Sequence, residues 1–132
     1  MSAYSFMVRK SLKESELISC LDAFLDGGVD SILRRRPESN YFLVYCEFSE
    51  GFLGSVHLHG VSFDKDFDEL SLVRHVACVF NTEVIFEPLR IMLPKSRESA
   101  YIDLDGLLYA VDVLDLEGGV DILAGSLLPL DV

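Results

Sequence analysis

The side chains with the clearest chemical potential in this sequence are two histidines that stand two residues apart. His57 and His59 fall in a stretch typical of a strand, so both rings are expected to leave the same face of a sheet. Two imidazoles about 7 Å apart could share a metal ion if a third ligand were added. Asp64, Asp66 and Cys46 are the candidates, but no spacing ties them to the histidines. Solvent-facing strand histidines are therefore the favoured interpretation, with no metal and no other cofactor.

A second pair, Cys78 and His75, stands one helical turn apart in a predicted helix. A thiol beside an imidazole is the minimum for a nucleophile. The pair lies in the C-terminal half of the helix, however, where the helix dipole disfavours a thiolate. No acidic residue is placed to orient the imidazole, so catalysis by this pair is not expected.

The third candidate is a pair of carboxylates, Asp103 and Asp105, which flank Leu104 and are predicted to share a strand face. Paired carboxylates can bind a cation or exchange protons. Acid–base catalysis also needs a deep pocket, which a chain of 132 residues can rarely provide. Together with Asp112, predicted to lie across a hairpin, they fit an acidic contact surface better. The sequence also lacks the P-loop, GxGxxG, HExxH and GxSxG motifs, so the protein is not expected to be an enzyme.

The element that organises the predicted fold is a helix between residues 66 and 81. Asp66 is the predicted N-cap, and Glu69 three residues later completes an acidic capping box. Apolar residues at helical spacing give one buried face, and Leu72 and Val79 add a stripe on its flank. The helix is predicted to end at Asn81, and Thr82–Phe86 follows at once as a strand.

The first half of the chain alternates strand and helix signals. Ala3–Val8 is predicted to be a strand, and a capping box of Ser11 and Glu14 is predicted to open a helix that ends at Gly27-Gly28. Tyr41–Phe48 is apolar on both faces, which predicts a central strand covered on each side. After a turn, Phe52–His59 is predicted to return as its antiparallel neighbour.

The second half is predicted to add a hairpin. Leu89–Leu93, bracketed by prolines, is predicted to be an edge segment. Ala100–Leu104 and Leu107–Leu114 flank Asp105-Gly106, which is a strong hairpin signal. Short turns and a frayed tail are expected over Leu116–Val132. Together the elements predict a single α+β domain over residues 1–132: an antiparallel sheet with two main helices in the ferredoxin-like order β-α-β-β-α-β, plus a C-terminal β-hairpin.

Charge is the most informative bulk property. The chain has 22 Asp and Glu against 11 Lys and Arg, a formal net charge of −11. No Lys or Arg follows Arg97, although eight acidic residues do. Such a field repels nucleic acid and anionic membranes, and it favours a basic protein partner with fast, salt-sensitive association.

The cysteines and the hydropathy pattern predict a cytoplasmic protein. Cys20, Cys46 and Cys78 are odd in number and widely spaced, which predicts reduced thiols in place of a disulfide framework or a zinc site. The first ten residues lack the order of a signal peptide, and no run of 18 apolar residues occurs.

Two segments carry a resemblance to a known group of proteins: LVRHVACVFNTEVIF and AYIDLDGLLYAVDV. Residues 66–114, which contain them, resemble the small acidic immunity proteins that accompany bacterial polymorphic and contact-dependent toxins. In those proteins a helix ends in a short F-N-T-x-V type turn before a strand, and a strand-DG-strand hairpin follows. The resemblance implies a cytoplasmic, non-enzymatic antitoxin that binds one cognate toxin domain, often a basic nuclease, and blocks its active site or substrate groove.

The resemblance carries no residue roles, since immunity families differ in fold, and the predicted contact surface therefore rests on charge. Acidic side chains would occupy the cationic surface that a nuclease uses for phosphate, with aromatic anchors beside them. The predicted partner-binding residues are Asp103, Asp105, Asp112, Asp115, Glu117, Tyr101, Tyr109, Asp64, Asp66 and Asp68.

The alternative function is an acidic secretion chaperone that binds an unfolded segment of an effector. It also explains the acidic surface and the broad apolar face of the organising helix. Such chaperones usually begin with a helix and are dimeric, whereas this chain is predicted to begin with a strand and to be a monomer or weak dimer. Gel filtration separates the two.

Overall fold

Two helices and eleven strands make up the part of the chain that the computed structural model describes, residues 2–25, 28–32, 36–60 and 67–131. The fold is α+β, as predicted, with a mostly antiparallel sheet. The helices are α1 (Glu14–Phe24) and α2 (Glu69–Phe80). The strands are β1 (Ser2–Val8), β2 (Val29–Ser31), β3 (Tyr41–Glu47), β4 (Glu50–Gly51), β5 (Gly54–Gly60), β6 (Val84–Phe86), β7 (Ser99–Ile102), β8 (Leu108–Val111), β9 (Val113–Leu116), β10 (Gly119–Ile122) and β11 (Leu128–Pro129).

Eight of these strands form the main sheet, in the order β11-β8-β7-β6-β1-β5-β3-β2. Strand β1 pairs antiparallel with β5 along its whole length. Strand β5 also pairs antiparallel with β3, as predicted for Phe52–His59 and Tyr41–Phe48. The predicted β-α-β-β-α-β order did not include two short strands: β2 follows α1 and pairs parallel with β3, and β4 precedes β5.

One face of the main sheet carries both helices and the larger hydrophobic core. Side chains alternate along a strand, so Tyr4, Phe6 and Val8 of β1 all point to this face, and each is at most 2% exposed. Helix α1 contributes Leu17 and Leu21 to the same core. The flank stripe predicted for α2 is divided: Leu72 is fully buried with the core, whereas Val79 is 53% exposed.

A second, smaller sheet in the order β4-β10-β9 packs on the other face of the main sheet. It covers a separate core of Phe52, Ile85, Tyr101 and Val111. Phe52 immediately follows β4, is 0% exposed, and its N–H donates to the carbonyl of Val120 at 2.8 Å. The turn predicted between β3 and β5 is therefore also the attachment point for this second layer.

Glycine is required where β4 meets β10. Gly51 has φ 68°, and a Cβ at this position would lie 2.1 Å from the carbonyl oxygen of Val120. A Cβ on Gly119 would lie 2.2 Å from the carbonyl oxygen of Glu50. Only two residues without side chains allow the two backbones to approach this closely.

The predicted helix starts are wrong at both helices. Helix α1 begins at Glu14 with Lys13 as N-cap and no side-chain cap, because the Ser11 hydroxyl donates instead to Glu47 at 2.9 Å. Helix α2 is capped by Asp68, whose carboxylate accepts the N–H of Ser71 at 3.1 Å. The predicted cap, Asp66, lies outside the described residues. The predicted end at Asn81 is confirmed, in the left-handed conformation at φ 49°.

Replacing Asp68 with alanine is expected to reduce the free energy of unfolding by about 1 kcal/mol at neutral pH, because the first turn of α2 loses its cap. The hydroxyl and N–H of Ser71 hold the pKa of Asp68 below its usual value. The contribution is thus present above the unfolded pKa of about 3.9 and is lost as pH falls through the folded pKa. Urea unfolding at pH 7 and at pH 3 measures this. Asp68→Asn should keep most of the stability and flatten the pH dependence; a loss for Asn equal to that for Ala would contradict the cap.

Three further predictions differ from the structure. Strand β3 is next to the edge strand β2 and not central, and Cys46 on its outer face is exposed. Residues 89–91 form bends and residues 92–93 belong to no strand, so the predicted edge segment does not join the sheet. The tail is not frayed over 116–131, because β10 and β11 both pair with other strands there.

Among the described residues, neither helix has the length and hydropathy needed to cross a bilayer.

Candidate functional site

The outer face of β1 and β5, opposite the helices, brings together a histidine and two serines. Ser5 pairs with His57 in the antiparallel register, and Ser55 precedes His57 by two residues, so all three side chains leave the same face. The Ser5 hydroxyl lies 2.8 Å from Nδ1 of His57, and the Ser55 hydroxyl lies 3.0 Å from Nε2. Either nitrogen can carry the ring proton, because each hydroxyl can donate or accept. The imidazole is therefore held in a defined orientation from both sides.

The predicted shared face of the two histidines is confirmed, but their environments differ. His59 stacks on Phe42 of β3, with the ring centroids 4.9 Å apart. Of the third metal ligands considered, Asp64 and Asp66 lie outside the described residues, and Cys46 is an exposed free thiol. In the part of the chain that the structure describes, no three His, Cys, Asp or Glu side chains are grouped so that they could hold a metal ion.

A groove of about 490 Å³ runs between this face and the β9–β10 hairpin of the small sheet. Ser5, Ser55 and His57 line it on the side of the main sheet. Asp115 lines it from β9, which makes it the member of the predicted contact set that borders a concave surface near the histidine. We call this feature the sheet groove.

A second candidate surface is the turn between β7 and β8, which we call the acidic turn (residues 103–107). The prediction that Asp103 and Asp105 share a strand face is wrong, because both residues lie in the turn after β7. The Asp103 carboxylate accepts the N–H groups of Asp105 and Leu107, both at 2.9 Å, and so holds the turn together. A hydrogen bond to the same carboxylate raises the pKa of Tyr109 above its ordinary value. Asp105 is left exposed, between Leu104 and Leu107, which are 62% and 56% exposed.

The other members of the predicted contact set do not form one surface with this turn. Asp112 follows the far end of β8, because Ile102 pairs with Leu108 and Ser99 with Val111. It lies 3.7 Å from Arg97, so the predicted cluster across the hairpin is wrong. Asp68 caps α2. Asp115 and Glu117 are exposed on β9 and in the β9–β10 turn.

The two tyrosines predicted as anchors have different positions. Tyr101 is 6% exposed in the core beneath the small sheet, and its hydroxyl donates to the carboxylate of Glu83. Burial, followed by this bond, raises its pKa well above the ordinary value for tyrosine. Tyr109 is half-buried and packs beside it, with the ring centroids 5.9 Å apart. Tyr101 is therefore a core residue, and only Tyr109 keeps part of its surface available.

Arginines neutralise some of the acidic side chains within the fold. Arg9 lies 3.1 Å from Glu83 and 2.9 Å from Asp121, and its guanidinium lies over the ring of Phe52. Burial acts to lower the pKa of Arg9, but the two carboxylates outweigh it and raise the pKa. Arg36 likewise binds Asp30 at 2.9 Å, and Arg36 and Ser39 hold the pKa of Asp30 well below its usual range.

These arginines leave several acidic residues uncompensated. Within residues 2–25, 28–32, 36–60 and 67–131, every ion pair involves Arg9, Arg36 or Arg97. None of them reaches Asp105 or Asp115. The surplus of carboxylates is therefore a property of the folded surface as well as of the sequence.

The predicted thiol–imidazole pair is not assembled into a nucleophilic site. His75 stacks on Phe24 of α1, with ring centroids 5.5 Å apart, and Cys78 is an exposed free thiol. Cys20 and Cys46 are also free, as the spacing predicted. Burial raises the pKa of the Cys20 thiol, which lowers its reactivity.

Sequence reasoning did not find the serines that hold His57. The alternation of β1 places the Ser5 side chain on the face opposite to those of Tyr4 and Phe6. Only the pairing of β1 with β5 shows that Ser5 lies beside His57.

No family model, curated protein or solved structure matches the chain. The sheet groove and the acidic turn are two surfaces from which a function can be argued.

Proposed function

We propose that this protein is a non-enzymatic immunity protein that binds and neutralises a basic toxin domain, such as a nuclease. The observation that carries the proposal is the acidic turn, where two exposed leucines alternate with carboxylates. Protein interfaces commonly combine an apolar centre with a polar rim. Leu104 and Leu107 supply apolar surface, and Asp105 supplies charge that no ion pair in the described part of the chain compensates.

The proposed mechanism is occupation of a cationic surface. A nuclease holds the phosphate backbone with lysine and arginine, and a carboxylate surface can take the same positions. The net charge of −11 steers a basic domain toward this protein before contact. The leucines then lose their contact with water, which slows dissociation.

The surroundings of Ser5 support binding over catalysis. A serine nucleophile needs N–H donors that stabilise the oxyanion of the intermediate. Ser5 lies inside β1, whose peptide groups directed toward β5 are bonded in the strand ladder, and both ring nitrogens of His57 face serine hydroxyls, so no carboxylate orients the imidazole. The Ser5–His57–Ser55 arrangement therefore fits a rigid contact surface better than an acyl-transfer site.

Charge reversal at the acidic turn tests the proposal. Asp105→Lys is expected to slow association with the cognate toxin domain about tenfold, with a less than about twofold change in the dissociation rate, because peripheral charges act mainly on encounter. Asp105 is chosen over Asp103 since Asp103 also holds the turn. The toxin to test first is the C-terminal domain of any large secreted toxin that the preceding open reading frame encodes, and stopped-flow kinetics at several salt concentrations give both rates.

The matched control for this experiment is Glu38→Lys, which makes the same charge change. Glu38 is exposed and lies between β2 and β3, at the opposite edge of the main sheet from β8. It should alter the association rate by less than about twofold. An association rate that does not respond to salt, or equal effects of the two substitutions, would contradict binding through the acidic turn.

One observation favours the alternative, a secretion chaperone. Val79 of α2 is 53% exposed, and with Phe80 it lines a shallow groove against Ser15 and Cys20 of α1. An unfolded effector segment, or a second copy of the chain, could cover such a groove. Size-exclusion chromatography with light scattering separates the two functions: a monomer at micromolar concentration supports the immunity protein, and a tight dimer supports the chaperone.

A further inference from the structure

The sheet groove combines an apolar wall with a negatively charged rim. Met7 and Ile85 line it from the main sheet, and Val113 and Val120 line it from the small sheet. Its volume of about 490 Å³ lies within the roughly 300–1,000 Å³ typical of binding pockets. Such a wall suits the aliphatic part of a long side chain, which gains by leaving water while its charged end stays at the rim.

The polar groups of the groove are suited to a cation with several N–H donors. Asp115 and Glu87 both line it and are both exposed. Among the described residues that line it, neither lysine nor arginine occurs, so a phosphate or carboxylate ligand would meet two carboxylates and no guanidinium or ammonium group. Ser5 and Ser55 add hydroxyl oxygens, whose positions are set by their contacts with His57.

We infer that the sheet groove receives an arginine side chain of the protein partner. A guanidinium has five N–H donors and no acceptor, and it is less strongly hydrated than an ammonium group. The carboxylate of Asp115 can accept two of these donors, and the three methylenes of arginine lie along Met7 and Val113. Arginine is also among the residues that most often dominate the binding energy of an interface. This inference rests on the proposed function, because it takes the partner to be a basic protein.

The test uses the whole protein and a small probe, N-acetyl-L-arginine amide. Titration followed by ¹⁵N–¹H NMR should shift the amide signals of Ser5, His57 and Asp115, with saturation in the millimolar range. N-acetyl-L-citrulline amide, which has nearly the same shape and no charge, should leave these signals in place.

Substitutions in the sheet groove show whether the arginine probe binds there. Asp115→Asn should weaken binding of the arginine probe about threefold or more, as expected for loss of one partly solvated ion pair. Ser5→Ala should weaken it to a smaller extent and provides a second variant if the first fails to fold. Glu38→Gln, which removes one exposed carboxylate far from the groove, should leave binding unchanged.

Two results would overturn the inference: equal responses to the arginine and citrulline probes, or no localised shift at any concentration reached. Neither depends on a toxin, so the inference and the proposed function can fail separately. If the protein neutralises a toxin but does not bind the arginine probe, the inference about the sheet groove is rejected and the proposed function is not. A groove that binds the probe in a protein that neutralises no basic domain would reject the function alone.

Discussion

Replacing Glu69 with alanine is expected to lower the free energy of unfolding by about 3 kcal/mol. Glu69 is the first residue of α2 and is only 3% exposed, although it is a carboxylate. It accepts the N–H of Leu89 at 2.8 Å and the N–H of Arg90 at 2.9 Å. Alanine would leave both donors without their acceptor, and a bond to a charged group contributes about 1.5–3 kcal/mol. Urea unfolding followed by circular dichroism measures the change.

Glu14→Ala is the matched control for Glu69→Ala. Glu14 is the first residue of α1, so both substitutions remove an acidic side chain from the first turn of a helix. Glu14 is exposed, and its loss should cost no more than about 0.5 kcal/mol. If the two variants lost similar stability, the effect would come from the helix dipole and not from the bonds to the segment after β6. Glu69→Gln, which keeps one acceptor oxygen, should fall between the two.

Replacing Phe52 with alanine is expected to lower the free energy of unfolding by about 4 kcal/mol, the largest effect predicted here. Phe52 is 0% exposed and lies at the centre of the core between the two sheets. Its ring packs edge to face against Tyr101, at a centroid distance of 6.5 Å, and carries the guanidinium of Arg9 at 4.1 Å. Alanine would remove these contacts and leave a cavity that β-strands on both sides cannot fill easily.

Hydrogen exchange distinguishes loss of the small sheet from general unfolding in the Phe52→Ala protein. The amides of β9 and β10 should exchange faster through local opening, while those of β1 and β5 should follow only the global change. Phe52→Leu retains most of the apolar volume and should cost about 1.5 kcal/mol or less. A loss below about 1 kcal/mol for the alanine variant, or uniform acceleration across both sheets, would show that Phe52 does not hold the layers together.

These two residues connect stability to the proposed binding surfaces. Phe52 holds the small sheet in place, and Asp115 of that sheet lines the sheet groove. Glu69 fixes the segment after β6, which includes Leu89, another residue of the groove lining. A protein weakened at either position should therefore respond less to the arginine probe even where it remains folded.

Local patterns in the sequence predicted the elements well. The alternation of Ala3–Val8 and the helical spacing up to Asn81 each depend on neighbours within a few residues, and both elements are confirmed. The Asp105-Gly106 hairpin signal also predicted the antiparallel pair β7–β8. The helix starts were mispredicted because several polar residues near each start could serve as caps, and tertiary partners decided among them. The hydroxyl of Ser11 donates to Glu47, and the carboxylate of Glu69 accepts the N–H groups of residues 89 and 90.

The sequence by itself determined the surplus of acid, the α+β class and the shared face of His57 and His59, because these follow from composition and from local periodicity. Only the tertiary structure decided that Ser5 meets His57, that Asp112 is apart from Asp103, and that Tyr101 is buried. Each of these depends on the strand order and register, which join residues far apart in the chain. Strand register is set by the combined burial of two faces and by turn geometry, so it is a property of the whole packed sheet.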